Sequence, residues 1–235
     1  MARLVSAIPV IAEQTGRSVV LVGGLAVVCR LPTPYRVTTD IDTVDRRAAD
    51  ESSQLQLLVS AGARRSGPAG VLVRTPLGDV QVDILEVTDS DVHDLPEDPT
   101  DRLHVLSHAW AASSASVVAL SADGLLPLTV KVAEPGPLIA MKLQSVMNRG
   151  AAKEGTDLLD IVRITLDPSC GPWSRDQLEA ADSRLRADAL LHARRWFDQF
   201  ADRSLVKIRA MPEGRDMEIE DVRLVGDLLV GALVA

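Results

Sequence analysis

Cysteine, long apolar runs and export signals are scarce or missing in this chain, and each absence excludes a class of protein. The 235 residues contain two cysteines, Cys29 and Cys170, too few for a disulfide framework or a cysteine-rich zinc site. No segment reaches the ~20 consecutive apolar residues that a membrane-spanning helix needs. Residues 1–14 have the pattern of an amphipathic helix and lack the cleavage site of a signal peptide. We therefore expect a cytoplasmic protein with no membrane partner.

Basic residues are outnumbered by acidic ones, and lysine is especially rare. The net charge is −8, so the chain has no general basic surface with which to coat nucleic acid. A local basic patch can still bind RNA, because the field near a patch can oppose the overall charge. Four of the 25 basic residues are lysines, namely Lys131, Lys142, Lys153 and Lys207. Lys142 stands out because its predicted helix face is otherwise apolar; the alternative is a lysine stem that reaches solvent along that face.

The hydrophobic periodicity predicts an α/β protein of the α+β type, with a mixed N-terminal half and a mostly helical C-terminal half. The predicted strands are 18–22, 38–44, 71–75, 79–87, 117–120 and 126–132. The predicted helices are 1–14, 24–30, 48–61, 101–111, 137–149, 155–165, an interrupted segment 174–202, and 223–235. The change from a mixed pattern to helices alone predicts two domains, 1–134 and 135–235.

A glycine pair followed by two closely spaced aspartates is the most informative segment of the sequence. The apolar run 19–22 ends at Gly23-Gly24, and Asp40 and Asp42 follow in a predicted strand. Side chains two apart in a strand project to the same face, so both carboxylates are expected in one pocket. A cation would relieve their repulsion, and the backbone N–H groups of the glycines suit a phosphate. The segment therefore predicts a divalent metal beside a phosphate-binding turn.

A third carboxylate follows in the predicted strand 79–87. The apolar residues of this strand share one face, whereas Asp79, Gln81 and Asp83 share the other. Together with the earlier aspartate pair, Asp83 gives three acids on neighbouring strands, which suits two Mg²⁺ ions about 4 Å apart. The alternative is that all three aspartates lie on the solvated face of a half-exposed sheet.

These motifs resemble those of the DNA polymerase β-type nucleotidyltransferases. The pattern Gly-Gly-x-Ala, then Arg-x-Thr-x-Asp-x-Asp, then an isolated strand aspartate is most similar to the AbiEii/MenT toxins of bacterial toxin–antitoxin pairs. The matching positions are Gly23, Gly24, Ala26, Arg36, Thr38, Asp40, Asp42 and Asp83. The resemblance implies a nucleotidyltransferase-like mixed sheet in the N-terminal half.

The helical half carries a second part of the same resemblance, so that the matching motifs span residues 19–163. The residues similar to the family's helical signature are Lys142, Arg149, Lys153, Asp157 and Asp160. That family places a basic residue directly before its aspartate, whereas three residues separate Lys153 from Asp157 here. Asp157 and Asp160 lie three apart, near one helix face, so either can be the functional carboxylate.

The resemblance and the chemistry of these residues assign roles to the site. Metal binding, by two Mg²⁺ ions or by Mn²⁺, is assigned to Asp40, Asp42 and Asp83. Nucleotide binding is assigned to Gly23, Gly24, Arg36, Thr38 and Lys142. The catalytic set comprises Asp40, Asp42, Asp83, Lys142, Asp157 and Asp160. Within it, Asp83 can accept the proton of the attacking hydroxyl, and Lys142 can neutralise charge on the triphosphate or departing pyrophosphate.

The resemblance implies a toxin that transfers a nucleoside monophosphate from an NTP to RNA, with the tRNA 3′ end as the expected acceptor, and releases pyrophosphate. It also implies a cognate antitoxin protein as partner, and a helical domain, 135–235, that completes the active-site cleft. Two alternatives stay open. A small-molecule nucleotidyltransferase of the antibiotic-modifying type suits an acidic chain slightly better, and a catalytically silent regulatory protein can keep the same fold.

Overall fold

The computed structural model of the protein describes residues 1–148 and 151–235, so Arg149 of the helical signature lies outside the described residues. The chain divides into two compact units. Unit 1 comprises Met1–Cys29, Arg36–Asp94 and His108–Glu134. Unit 2 comprises Arg30–Tyr35, Leu95–Ser107 and Pro135–Ala235. None of the described helices is both long and apolar enough to cross a membrane.

Unit 1 is built on a seven-stranded mixed sheet. Its strands are β1 (Val20–Val22), β2 (Asp40–Arg47), β3 (Arg64–Arg65), β4 (Gly70–Thr75), β5 (Gly78–Thr88), β6 (Ser116–Leu120) and β7 (Leu128–Val132). Their order across the sheet is β3-β4-β5-β2-β1-β7-β6. The β2–β5 and β1–β7 pairs are parallel, and the other neighbours are antiparallel. The periodicity of the sequence predicts all of these strands except β3, which is too short for alternation to detect.

The N-terminal half contains the four predicted helices, one of them with a corrected start, and a short helix, Asp89–His93, where the sequence predicts a loop. They are α1 (Ala2–Thr15), α2 (Gly23–Arg30), α3 (Gln54–Ser60), α4 (Asp89–His93) and α5 (Pro99–Ser114). The predicted helix 48–61 begins too early, because β2 extends to Arg47 and a capping box sets the start of α3. In that box the Gln56 N–H donates to the Ser53 hydroxyl, and the Ser53 N–H donates to the Gln56 side chain.

One face of the sheet is apolar and covered by helices. Both α1 and α3 pack against β4, and the buried Val71, Val73 and Val82 lie on this face. Because side chains alternate along a strand, the residues next to these in sequence project to the other face of the sheet. The face opposite α1 and α3 therefore carries Asp42 of β2 and Asp83 of β5.

Unit 2 is mostly helical. Its main elements are α6 (Pro135–Asn148), α7 (Ala151–Leu166), α8 (Cys170–Glu179), α9 (Ser183–Arg194), a π-helix (Arg195–Gln199), α10 (Ala201–Arg209), a 3₁₀ turn (Pro212–Gly214) and α11 (Ile219–Val234). The segment predicted as an interrupted helix, 174–202, is thus divided between α8, α9, the π-helix and the start of α10. The predicted fold class is confirmed: a mixed α/β sheet in the N-terminal half is followed by a helical C-terminal half.

Candidate active site

The glycine pair lies where β1 passes directly into α2. Gly23 is the first residue of α2 and has a φ of 61°, a conformation that L side chains rarely adopt. In the β1–β2 ladder Val22 is opposite Asp42. A Cβ atom on Gly23 would lie 1.9 Å from Asp42 Oδ2, so the backbone of Gly23 is directly against this carboxylate. Glycine is therefore required here both by the backbone angle and by the space that Asp42 occupies.

The side chains of Arg36 and Thr38 lie next to Gly24 at the start of α2. A Cβ atom on Gly24 would lie 2.8 Å from Arg36 Nη2 and 3.1 Å from Thr38 Oγ1. The Thr38 hydroxyl also donates to Asp40 Oδ1 at 3.0 Å. The N-terminus of α2 thus combines backbone N–H groups, a guanidinium group and a hydroxyl, a combination that favours an anion.

The three predicted acids lie on one face of the β2–β5 pair. Asp42 is opposite Asp83 in this parallel ladder, and Asp40 is opposite Gln81. Because residues 40 and 42 share a face and register partners share a face, all three carboxylates project from the same side of the sheet. Each of the three is half-buried. The structure therefore places Asp42 and Asp83 on adjacent strands, with Asp40 two residues away along β2.

The arrangement of these acids bears on metal binding. Within residues 1–148 and 151–235, no group of three or more His, Cys, Asp or Glu side chains is arranged to hold a metal ion. The three acids therefore do not form a closed protein cage. Mg²⁺ commonly takes one or two carboxylates and completes its shell with water and substrate phosphate oxygens. The oxygen donors of Asp42 and Asp83 fit that requirement, and their assignment as metal ligands stays a prediction.

The predicted residues of unit 2 meet in one buried cluster. The Lys142 side chain in α6 is 6% exposed, and its ammonium group lies 2.8 Å from Asp157 Oδ1 and 2.5 Å from Asp160 Oδ2 of α7. Ser145 donates to Asp157 Oδ2 at 2.9 Å, and the Tyr35 hydroxyl donates to Asp160 Oδ1. Both candidate aspartates therefore contact the same lysine.

Burial shifts the pKa of one carboxyl group in this cluster. Asp160 is fully buried, and the loss of hydration raises the pKa of its carboxyl well above the usual value. This loss of hydration opposes ionisation of Asp160, whereas the ammonium group of Lys142 favours it.

The predicted site residues thus fall into two groups. The group in unit 1 consists of Gly23, Gly24, Arg36, Thr38, Asp40, Asp42 and Asp83. The group in unit 2 consists of Lys142, Asp157 and Asp160. Two residues of the sequence motifs do not take part in either group as side chains: Ala26 is buried within α2, and Lys153 is exposed on α7. The predicted cleft completed by domain 135–235 stays a prediction.

Four residues beside these groups are missing from the sequence prediction. Gln81 donates to Asp83 Oδ1 at 2.7 Å, and Ser66 donates to Gln81 Oε1 at 2.6 Å. Tyr35 and Ser145 bond to the aspartates of unit 2. The strand alternation already places Gln81 on the face of Asp83, which is a usable signal. Tyr35 is the single tyrosine of the chain, but its contact with α7 is too distant in sequence for any local pattern to indicate.

Comparison with known proteins adds little to this geometry. No family model matches the sequence, and no curated protein matches it. Among solved structures, an antigenic nucleotidyltransferase-like protein from Paracoccidioides brasiliensis is similar with a TM-score of 0.45 and 18% identity, covering 86% of this chain and 93% of that one. A likeness this distant assigns neither a family nor an activity, so the function is argued from the residues themselves.

Proposed function

We propose that the protein is a metal-dependent nucleotidyltransferase, which transfers a nucleoside monophosphate from an NTP to an acceptor hydroxyl and releases pyrophosphate. One observation carries this proposal: the Gly23 backbone is seated against Asp42, whose register partner on the adjacent strand is Asp83. A phosphate-binding helix start and two carboxylates are thereby held side by side. These are the parts that phosphoryl-group chemistry with divalent metals requires.

The start of α2 is the proposed binding site for the triphosphate. Gly23 and Gly24 let the backbone approach phosphate oxygens closely, and the helix N-terminus favours their negative charge. Arg36 adds a permanent positive charge beside Gly24. Thr38 holds the Asp40 carboxylate in one orientation through its 3.0 Å hydrogen bond. These residues bind and orient, so their loss should weaken NTP binding more than the chemical step.

The carboxylates of unit 1 are the proposed reaction centre. Asp40, Asp42 and Asp83 would hold Mg²⁺, which when bound supplies positive charge to the phosphoryl group being transferred. The oxygen of the acceptor hydroxyl forms a bond to the α-phosphorus, and Asp83 accepts the proton that this hydroxyl loses. The bond from that phosphorus to the bridging oxygen breaks, and pyrophosphate leaves with the electron pair. Lys142, fixed by Asp157 and Asp160, would neutralise charge on the triphosphate or the departing pyrophosphate.

The proposed acceptor is RNA, with the 3′ end of tRNA as the specific candidate. Extending or blocking that end would stop aminoacylation and growth, which suits a toxin with a cognate antitoxin as partner. The support for these finer assignments is the resemblance of the sequence motifs to AbiEii/MenT toxins. They are proposed together with the reaction, and each can fail while the nucleotidyl transfer stands.

The direct test incubates the protein with Mg²⁺, all four NTPs and total tRNA, followed by mass spectrometry of the tRNA. We expect nucleotide addition by the wild type and a loss of about 100-fold or more in Asp40→Ala and Asp42→Asn. Asp79→Asn is the matched control, because Asp79 lies on the same strand and face as Asp83 but is exposed. Full activity in Asp40→Ala or Asp42→Asn would overturn the proposal that these carboxylates hold the catalytic metal.

A small-molecule acceptor is the second candidate, and the net charge of −8 favours it because a cationic acceptor would be attracted. Labelled NTPs offered in parallel with total tRNA and with a pool of aminoglycoside-type amines separate the two acceptors. Isothermal titration with Mg²⁺ and each NTP tests the remaining alternative, a silent regulatory protein. That alternative requires the absence of metal-dependent nucleotide binding.

A further inference from the structure

We propose that Gln81 is a positioning residue for Asp83 and that the turn 66–70 holds Gln81 in place. The inference rests on the proposed function, since it concerns how one carboxylate of that reaction centre is oriented. Its basis is a chain of two hydrogen bonds, from Ser66 to Gln81 and from Gln81 to Asp83. All three residues lie in unit 1.

The donors and acceptors of these two hydrogen bonds determine which end of the Gln81 amide faces Asp83. The amide nitrogen donates to Asp83 Oδ1 at 2.7 Å, and the amide oxygen accepts from the Ser66 hydroxyl at 2.6 Å. A carboxylate only accepts, so the reversed amide would place two oxygens together. Asp83 therefore selects the amide orientation, and the Ser66 hydroxyl donates to the amide oxygen at the other end and restrains it.

Gly70 leaves room for the hydrogen bond between the Gln81 and Asp83 side chains. Gly70 is opposite Asp83 in the β4–β5 ladder. A Cβ atom on Gly70 would lie 2.5 Å from Gln81 Nε2 and 2.6 Å from Asp83 Oδ1, so one or both of these side chains would have to shift. The absence of a side chain at this position thus permits the amide and the carboxylate to meet above β4.

The consequence for Asp83 is a fixed orientation. A hydrogen bond to Oδ1 restrains rotation of the carboxylate and leaves Oδ2 to bind a cation or to accept a proton. Gln81 is also opposite Asp40 in the β2–β5 ladder, so a neutral donor occupies the position where a further acid would increase repulsion. Outer partners of this kind typically change metal affinity or activity by about 10–100-fold when they are removed.

The test compares Gln81→Met, which keeps the length but cannot donate, with Gln81→Glu, which keeps the shape but repels Asp83. For Gln81→Met we expect kcat to fall about tenfold, with the KM for NTP changed less than about twofold. Isothermal titration with Mn²⁺ should show an affinity about tenfold lower. Gln81→Glu should lose more activity than Gln81→Met, because the introduced carboxylate repels Asp83.

Two further variants keep the inference falsifiable. Ser66→Ala should lower kcat and Mn²⁺ affinity in the same direction as Gln81→Met, but by less. Because Ser66 is exposed, this variant can be measured even if the variants at Gln81 fold poorly. Gln199→Met applies the same substitution to an exposed glutamine of unit 2 and should leave both values unchanged. Wild-type values in Gln81→Met and Ser66→Ala, with Asp83→Asn inactive, would overturn only this inference. An absence of transfer by the wild type would instead overturn the proposed function, and this inference with it.

Discussion

Gly23 combines a left-handed backbone with a carboxylate in the space of a side chain. Its φ is 61°, and a Cβ atom would lie 1.9 Å from Asp42 Oδ2. We expect Gly23→Ala to lose about 1 kcal/mol for the backbone conformation and about 1–3 kcal/mol more for displacing Asp42. Nucleotide transfer should fall about 100-fold, because the carboxylate moves. Urea unfolding and the transfer assay measure the two effects separately.

Gly16 is the matched control for this substitution. Its φ is 65°, and a Cβ atom there would meet nothing within 4 Å. Gly16→Ala should therefore lose only the backbone contribution of about 1 kcal/mol and leave nucleotide transfer unchanged. An equal loss of stability in the two variants would contradict the close packing of Gly23 against Asp42.

A second residue, His192 in α9, makes stability depend on pH. Its side chain is 5% exposed, and neither ring nitrogen has a hydrogen-bond partner in the described part of the chain. Burial lowers the pKa of this imidazole; Asp188 opposes that shift, Arg195 adds to it, and Asp98 opposes it weakly. The unfolded chain then binds the proton more readily than the folded one. The stability that neutral His192 contributes is therefore present above pH ~6.5 and is lost as the pH falls through that value.

Scanning calorimetry at several pH values tests this dependence. We expect the Tm of the wild type to fall between about pH 8 and about pH 5.5, and the fall to be smaller in His192→Leu. The comparison of two proteins isolates His192, because other titrating groups such as Asp160 are common to both. His93→Gln alters an exposed histidine and should follow the wild type. Identical pH profiles of the wild type and His192→Leu would refute the assignment.

At the scale of elements, a buried ion cluster joins α6 to α7. Lys142 of α6 contacts both Asp157 and Asp160 of α7. Lys142→Met would remove the ammonium group that both buried carboxylates contact, and we expect a loss of about 3–5 kcal/mol in the free energy of unfolding. Lys131→Met, the same substitution at an exposed lysine, should change stability by less than about 0.5 kcal/mol. Urea unfolding of the two variants provides the comparison.

The same cluster offers a rescue experiment. Adding Asp160→Asn to Lys142→Met removes one of the two carboxylates, and we expect part of the lost stability to return. Burial already raises the pKa of the Asp160 carboxyl, so a neutral side chain is tolerated at that position. A double variant as unstable as Lys142→Met alone would contradict this account. Loss of activity on changing Lys142 is informative about catalysis only in a variant that remains folded.

How much of the site the sequence predicts depends on the range of the interaction. The alternation of strand residues predicts that Asp83 and Gln81 share a face, and the structure confirms it. The register that places Asp83 opposite Asp42 comes from pairing between strands about 40 residues apart, which no local pattern encodes. The contact between Tyr35 and Asp160 is longer still in sequence. Local periodicity thus predicts faces, and long-range packing determines neighbours.

At the scale of the whole molecule, the sequence predicts which half of the chain is helical. It predicts only in part which segments belong to each compact unit. The helical character after residue 134 follows from periodicity alone. Residues 30–35 and 95–107 belong to unit 2 although mixed α/β sequence surrounds them. Their placement depends on contacts such as the paired hydrogen bonds between Arg102 and Asp188, at 2.8 and 2.7 Å. Those contacts join residues 86 apart, beyond the reach of any local pattern.

The net charge of −8 means that salt dependence can distinguish an RNA acceptor from a small-molecule acceptor. Long-range repulsion of RNA is largely screened at about 0.1 M salt, where the Debye length is about 10 Å, so binding must rest on local contacts between arginines and phosphates. An acceptor held by about three such contacts loses roughly tenfold in affinity between 50 and 150 mM salt, because bound counterions are released. We therefore expect the KM for tRNA to rise about tenfold over this range at constant Mg²⁺, with kcat at saturating tRNA nearly constant. A KM that stays flat or falls would exclude RNA held by phosphate contacts and favour the small-molecule acceptor.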